Sequence, residues 1–370
     1  MKTNPFIFSK LVYGDNFCHR DEVEIIKTHI INSQNIVLFS KRRYGKSSLI
    51  KEIFENHLDK KEFITIYTDI FSINSANDFA YILYKNIAKS LKISVNKILN
   101  TLKDIFTRAS FSANVTKDGE LEFRPTLISK DFRENIEDIF VNLDKYAKKE
   151  KKKIVIAIDE FQQISLIKDT NIEAILRTQI QNLENISFIF CGSKQHLLTQ
   201  MFISHAKPFY KQAELIELKS IKQDDFFEFV KAKFENSKKT ITQSAFEVIY
   251  EIAKGESWLI QNICYHLWQK YTQITPNEVG EIVDEIIDFN DNLYRMLFDK
   301  FSSTQKTALK IIATSQNQKI LSQENTTNFA ISKQSLVSAI KSLLEQEIIS
   351  KTENSYEIND ILFEIWVKEL

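Results

Sequence analysis

The sequence predicts an α/β core, a parallel sheet flanked by helices, followed by an all-α region and a winged helix-turn-helix. Three observations predict it. Short apolar, β-rich runs alternate with stretches of helical periodicity from residue 35 to residue 218. Only helical periodicity remains from 222 to 290. Residues 299–370 then read helix, helix, helix and two short β runs. The expected domains are 1–219, 220–290 and 291–370.

Taken in order, Asn35 to Phe39 (NIVLF) is a strand, followed by a polar turn and a helix from Lys46 to Asn56. Phe63 to Asp69 (FITIYTD) is the second strand. Asn77 to Ile93 carries Phe79, Ile82, Leu83, Ile87 and Leu91 at helical spacing. Phe111 to Val115 and Glu120 to Phe123 flank Lys117-Asp118-Gly119, a hairpin turn signal. Lys130 to Lys149 is helical, with Phe132, Ile136, Ile139, Phe140 and Leu143 on one face. Ile154 to Ile158 (IVIAI) and Ile186 to Phe190 (ISFIF) are unbroken apolar runs, as in strands buried on both faces of a parallel sheet. A helix from Thr170 to Leu183 connects them, and Ala213 to Leu218 is the last strand. About four helical segments follow before residue 290, and a β-wing around Glu353-Asn354 closes the pattern.

Composition narrows the functional classes. A chain of 370 residues that is 43% hydrophobic can bury a full core, which excludes disordered and collagen-like proteins. No apolar run approaches the roughly 18 residues of a membrane span, and Met1 to Pro5 starts no signal-peptide h-region, so a cytoplasmic protein without membrane contact is expected. The 49 basic and 49 acidic side chains cancel, giving no global attraction to nucleic acid. Cys18, Cys191 and Cys264 lie far apart and read as small buried hydrophobes, not as a disulfide framework or a zinc knuckle.

Two motifs carry chemistry. Ser40-Lys41-Arg42-Arg43-Tyr44-Gly45-Lys46-Ser47 sits between a strand and a helix, the context of a P-loop. Backbone N–H groups from Ser40 to Ser48 are expected to cradle the phosphates of ATP at the helix N-terminus. Lys46 is expected to reach the β- and γ-phosphates, and the Ser47 hydroxyl to ligate Mg²⁺. Ser40 stands where the pattern has its first glycine, whose backbone freedom a serine lacks. Downstream, Lys153 to Glu160 is an apolar strand ending in two carboxylates. Asp159 is expected to hold the Mg²⁺ shell, and Glu160 to orient and polarise the attacking water. Ser193, after Cys191-Gly192, is the candidate polar sensor beside the γ-phosphate.

With these motifs the chain resembles the archaeal-type ATPases of the AAA+/STAND branch of P-loop NTPases. The resemblance extends to Asn4-Pro5-Phe6, Phe17 to Glu22, Phe190 to Ser193, Lys207-Pro208-Phe209-Tyr210 and Gly255 to Gln261. It implies that Phe17 and Arg20 line the adenine side, and that Gly255 to Gln261 is a lid motif touching the nucleotide, with Ser257 where relatives carry Pro. It also implies an arginine finger between the sensor and the last strand. Phe202 to Gln212 contains no Arg, leaving Lys207, Lys211 and the upstream Arg177 as cations. Lysine cannot reproduce the guanidinium fork, so slow hydrolysis is expected.

The winged helix invites a DNA-binding reading. Residues 299–370, however, carry eight Lys, no Arg and nine acidic side chains. DNA affinity rests largely on phosphate neutralisation, so a protein partner or self-association is favoured. The leading expectation is an ATP-dependent switch. An origin-recognition-like or regulatory DNA-binding ATPase is the alternative, and a degenerate P-loop scaffold without turnover is a third reading.

Overall fold

The computed structural model describes residues 3–91, 95–115, 121–168, 170–315, 320–351 and 355–370. The chain forms two compact units. One comprises Ile7–Phe226 together with Glu256–Trp258; the other comprises the N-terminal residues through Phe6, Phe227–Gly255 and Leu259–Leu370.

In the first unit, chain order gives β1 (Ile36–Phe39), β2 (Phe63–Asp69), β3 (Ala109–Val115), β4 (Leu121–Leu127), β5 (Lys153–Asp159), β6 (Ile186–Gly192) and β7 (Glu214–Glu217). Five of them form one parallel sheet in the order β2-β5-β6-β1-β7. All seven residues of β6 are buried, as are all of β5 after Lys153. This is why both read as unbroken apolar runs. Val23, Ile26, Ile30, Leu49 and Ile50 pack in one core cluster, and Phe79, Leu83, Phe140 and Leu143 in another.

Register sets the site. Asp69 lies opposite Asp159 across β2 and β5, and Phe39 lies opposite Gly192 across β1 and β6. The residues following β1, β5 and β6 therefore emerge along one carboxyl edge, where open parallel sheets bind ligands.

The expected helix from Lys46 to Asn56 is α-helical only over Lys46–Glu52, and Ile53–His57 form a π-helical turn. The Glu52 carboxylate at the junction accepts from Gly14 N–H at 2.6 Å and Asn56 Nδ2 at 2.8 Å, so the wider turn sits where the helix holds the N-terminal segment. The helix expected from residue 77 runs over Ala76–Ser90 and opens with a capping box between Ser75 and Asp78. The helix Phe132–Glu150 is capped by Asp131. Strands β3 and β4 pair antiparallel, Ala109 opposite Leu127, as the hairpin reading required. The turn at Lys117 to Gly119 lies outside the described residues.

The second unit contains the helices Gln243–Ile252 and Pro276–Asp299. The helix Ser257–Lys270 begins in the first unit and enters the second at Leu259. Thr240–Ile241 (β8) and Gln273–Ile274 (β9) pair in parallel, a contact too short for periodicity to reveal. The helix Pro276–Asp299 runs unbroken through the expected boundary at 290/291. Its last turns are tied to the C-terminal helix Ile361–Lys368: Trp366 Nε1 donates to Asp291 at 2.9 Å, and Tyr294 lies 5.5 Å from Phe363 between ring centres. The helices Ser303–Thr314, Gln323–Asn328 and Lys333–Glu345 precede the antiparallel pair Ile349–Lys351 (β10) and Tyr356–Ile358 (β11), the winged order expected. Glu353-Asn354, at the wing, lie outside the described residues. No described helix is long and apolar enough to cross a membrane.

Candidate active site

The P-loop follows β1 and leads into the helix that starts at Lys46. Its backbone departs from the ordinary range at two residues, Arg43 with φ of 66° and Gly45 with φ of 89°. Glycine suits the second position, while Arg43 carries a left-handed conformation costly for a side chain of its size. Ser40, buried at the end of β1, is not among the residues with positive φ. The strain expected from serine in place of the first glycine is therefore absent.

Lys46, 8% exposed, donates to Asp159 Oδ1. Ser47 Oγ donates to Asp159 Oδ2 at 2.9 Å, and the Glu160 N–H to Oδ1 at 3.0 Å. Tyr67, on the neighbouring strand β2, also donates to Oδ2, at 2.5 Å. Burial would raise the Asp159 carboxyl, but the Lys46 ammonium, aided by Tyr67 and Ser47, holds it below its ordinary range. Burial likewise works against the Lys46 ammonium, and Cys191, Asp159 and Glu160 around it outweigh that effect and raise it. Both shifts favour the ion pair, a buried lysine against one carboxylate.

Glu160 leaves the strand with φ of 57°, in the left-handed region. Its Oε2 accepts from Gln162 Nε2 at 2.5 Å and from Ser193 Oγ at 3.0 Å. No described donor occupies Oε1. Ser193, expected beside the γ-phosphate, is here a partner of Glu160.

Other expected residues take different tasks. Arg20 is 5% exposed; it donates to the Tyr44 carbonyl at 2.7 Å and also to the Lys219 carbonyl. Its guanidinium thus braces the P-loop backbone at Tyr44. Phe17 packs half-buried against the core cluster that includes Leu49. Ser48 Oγ accepts from Val12 N–H at 3.2 Å, so its hydroxyl secures the N-terminal segment. Lys41 and Arg42 are exposed on the loop. Among the cations, Lys207 pairs with Glu173 at 3.0 Å, and Lys211 lies 5.4 Å from the Tyr210 ring centre. Arg177 lies on the helix Ile172–Ile180, with its Nε buried and unpaired. Neither Arg177 nor Lys211 forms an ion pair or hydrogen bond with Lys46, Asp159 or Glu160.

Sequence reading passed over three features. Tyr67 needed the β2–β5 register to be seen. Gln162 needed the turn after Glu160. The third is a clamp on Arg43: its guanidinium carbon lies 4.5 Å from the Trp258 ring centre, Glu256 lies 3.8 Å from it, and the Arg43 carbonyl accepts from Trp258 N–H at 3.2 Å. Glu256 and Trp258, within the expected lid motif, thus meet the P-loop inside the first unit.

The donor set fits Mg²⁺. Ser47 and Asp159 offer a hydroxyl and a carboxylate oxygen side by side, the hard oxygen donors the ion prefers.

Comparison with known proteins places the chain in a family and a fold. Residues 292–369 match the model of a probable winged helix domain. A protein of Methanocaldococcus jannaschii described only as an uncharacterised ATP-binding protein is 26% identical over 251 residues, covering 64% of this chain and 65% of that protein. A second protein from the same organism, described in the same words, is 24% identical over 76% of this chain and 78% of its own length. The Walker-type ATPase PABY2304 of Pyrococcus abyssi shares the fold at 15% identity, with a TM-score of 0.65 over 99% of this chain and 100% of that one. The Aeropyrum pernix ORC2 protein does so at 12% identity, with a TM-score of 0.55 over 95% of this chain and 92% of that one. Residues 21–263 match the family model described as an ATPase domain predominantly from Archaea, and the chain belongs to that family.

Proposed function

We propose that this protein is a Mg²⁺-dependent ATPase that turns over slowly and serves as a nucleotide switch. The observation that carries the reading is the convergence of Lys46, Ser47, Asp159 and Glu160 at one sheet edge. The P-loop N–H groups and the helix N-terminus receive the phosphates. Lys46 exchanges its bond to Asp159 for the β- and γ-phosphate oxygens, which releases Asp159 and Ser47 to hold the cation. Bound Mg²⁺ neutralises phosphate charge. Glu160, fixed through Oε2, accepts a proton or hydrogen bond from the attacking water at Oε1.

Slow turnover follows from the cations. A finger arginine contributes about 10³–10⁵ in rate, and the segment Phe202 to Gln212, where one is expected, contains no Arg. Arg177, Lys207 or Lys211 of a second copy would serve in trans, so self-association is expected to raise the rate. The nucleotide state is read through Arg43. When its guanidinium turns to phosphate, its hold on Glu256 and Trp258 loosens, and those residues continue directly into Leu259 and the rest of the second unit. A protein partner suits the winged helix better than DNA: its Lys333–Glu345 helix carries only Lys333 and Lys341 as basic residues.

Lys46→Ala tests the site. Loss of ATP binding, measured with a fluorescent ATP analogue, supports it. Unchanged affinity would remove the P-loop from the account. A purified monomer hydrolysing faster than about one ATP per second, within the ordinary enzyme range, would contradict slow turnover.

A further inference from the structure

Glycine at position 192 has a specific neighbour. A Cβ built there would lie 2.0 Å from Gln162 Oε1 and 3.0 Å from Gln162 Cδ, so any side chain at this position would push the amide from its place. The Gln162 amide therefore occupies the space a side chain at the end of β6 would fill. Gln162 is 1% exposed, and its Oε1 has no hydrogen-bond partner. Leaving a buried amide oxygen unpaired costs about 1–3 kcal/mol, so packing alone is a poor reason for a glutamine here. Its other end explains it: Nε2 donates to Glu160 Oε2 at 2.5 Å.

The chain enforces this placement from both sides. Glu160 leaves β5 in the left-handed region, and Phe161 then inserts into an aromatic cluster, 4.5 Å from Phe190 and 5.4 Å from Phe209 between ring centres. With Phe161 anchored, the short turn Phe161–Leu166 directs Gln162 against Gly192. Ser193, the next residue, supplies the second donor to the same carboxylate oxygen.

We propose that Gln162 is the positioning residue for Glu160, and that position 192 is glycine so that the Gln162 amide can reach it. Two donors on Oε2 fix the carboxylate plane and leave Oε1 directed to the water. This inference rests on the reading of Glu160 as the residue that activates water, and its test separates the two.

The test is single-turnover ATP hydrolysis and nucleotide affinity in the full chain, with Gln162→Met, Gln162→Leu, Gly192→Ala, Glu160→Gln and the Glu160→Gln/Gln162→Met double variant. Methionine keeps the length of glutamine and removes the donor; leucine is the second choice if methionine perturbs folding. The expected result is a kcat lower by about tenfold to a hundredfold for Gln162→Met, as for a misplaced catalytic group, with nucleotide affinity within about twofold. Gly192→Ala is expected to reproduce the loss by displacing the amide. The double variant is expected to be no slower than Glu160→Gln alone, because both changes act through one group. Full activity in both Gln162 variants, with Glu160→Gln inactive, would overturn the proposal and leave the function standing. Losses that multiply in the double variant, or that appear equally in nucleotide affinity, would also overturn it. Wild-type hydrolysis by Glu160→Gln would overturn both.

Discussion

Asp159 shows how one residue links stability to function. Four donors from three elements converge on its carboxylate, which holds it ionised although it is buried. Its folded-state pKa lies below the ordinary value. The associated stability is therefore present above the unfolded-state pKa, about 4 for Asp, and is lost as pH falls through the lowered folded value. Tyr67→Phe removes one donor. It is expected to lower stability at neutral pH by about 1.5–3 kcal/mol, the range for a hydrogen bond to a charged group. The deficit should shrink below about pH 4 as the unfolded carboxyl protonates. Urea unfolding at neutral and acid pH measures both. A deficit independent of pH would show that Tyr67 acts by packing alone. The cysteines give a second residue-level expectation. All three are buried and unpaired. Burial pushes the Cys18 thiol up to about 12, and raises those of Cys191 and Cys264 as well. None should react with a thiol reagent in the folded protein, and all three should react after denaturation; a rapidly labelled thiol in the native state would contradict this burial.

At the level of elements, the P-loop and Glu256–Trp258 behave as one device. The Arg43 guanidinium lies over the Trp258 ring, and Phe8 meets the same ring edge-on at 5.8 Å. Nucleotide binding is expected to draw Arg43 towards phosphate and change Trp258 emission. The change should vanish in Trp258→Phe while the signals of Trp268 and Trp366 persist. An emission change that survives the substitution would place the response elsewhere. The same elements show what a sequence makes legible. Strands β5 and β6 were legible because burial on both faces leaves few polar interruptions; Asp159 and Glu160 stood out as charges ending such a strand, and Lys46 as the lysine of a Gly-Lys-Ser turn between strand and helix. Tyr67 was not readable: its role depends on which strand lies beside β5, a tertiary fact. The hydrogen bond from Arg20 to the Tyr44 carbonyl was not readable either, since only the fold brings the two together. One helix, tied by Trp366 to Asp291, carries the chain across the expected boundary at 290/291, a continuity that helical periodicity on either side of it does not mark.

For the whole molecule, the proposed site still calls for a cation at the transferred phosphate. If a second copy supplies it, the rate per chain should rise with protein concentration and with the mass seen by light scattering. A rate independent of concentration would assign the cation to this chain or dispense with it. The winged helix, with more acidic than basic side chains over residues 299–370, is expected to hold duplex DNA weakly near physiological salt; tight binding in a salt-titrated mobility assay would reverse that. The central claim is that Glu160 drives hydrolysis of a nucleotide bound by Lys46, Ser47 and Asp159. The most direct measurement is the identity of the nucleotide retained after incubation with labelled ATP and Mg²⁺. The account predicts ADP on the wild-type protein and uncleaved ATP, in equal amount, on Glu160→Gln. ADP on both proteins would contradict it.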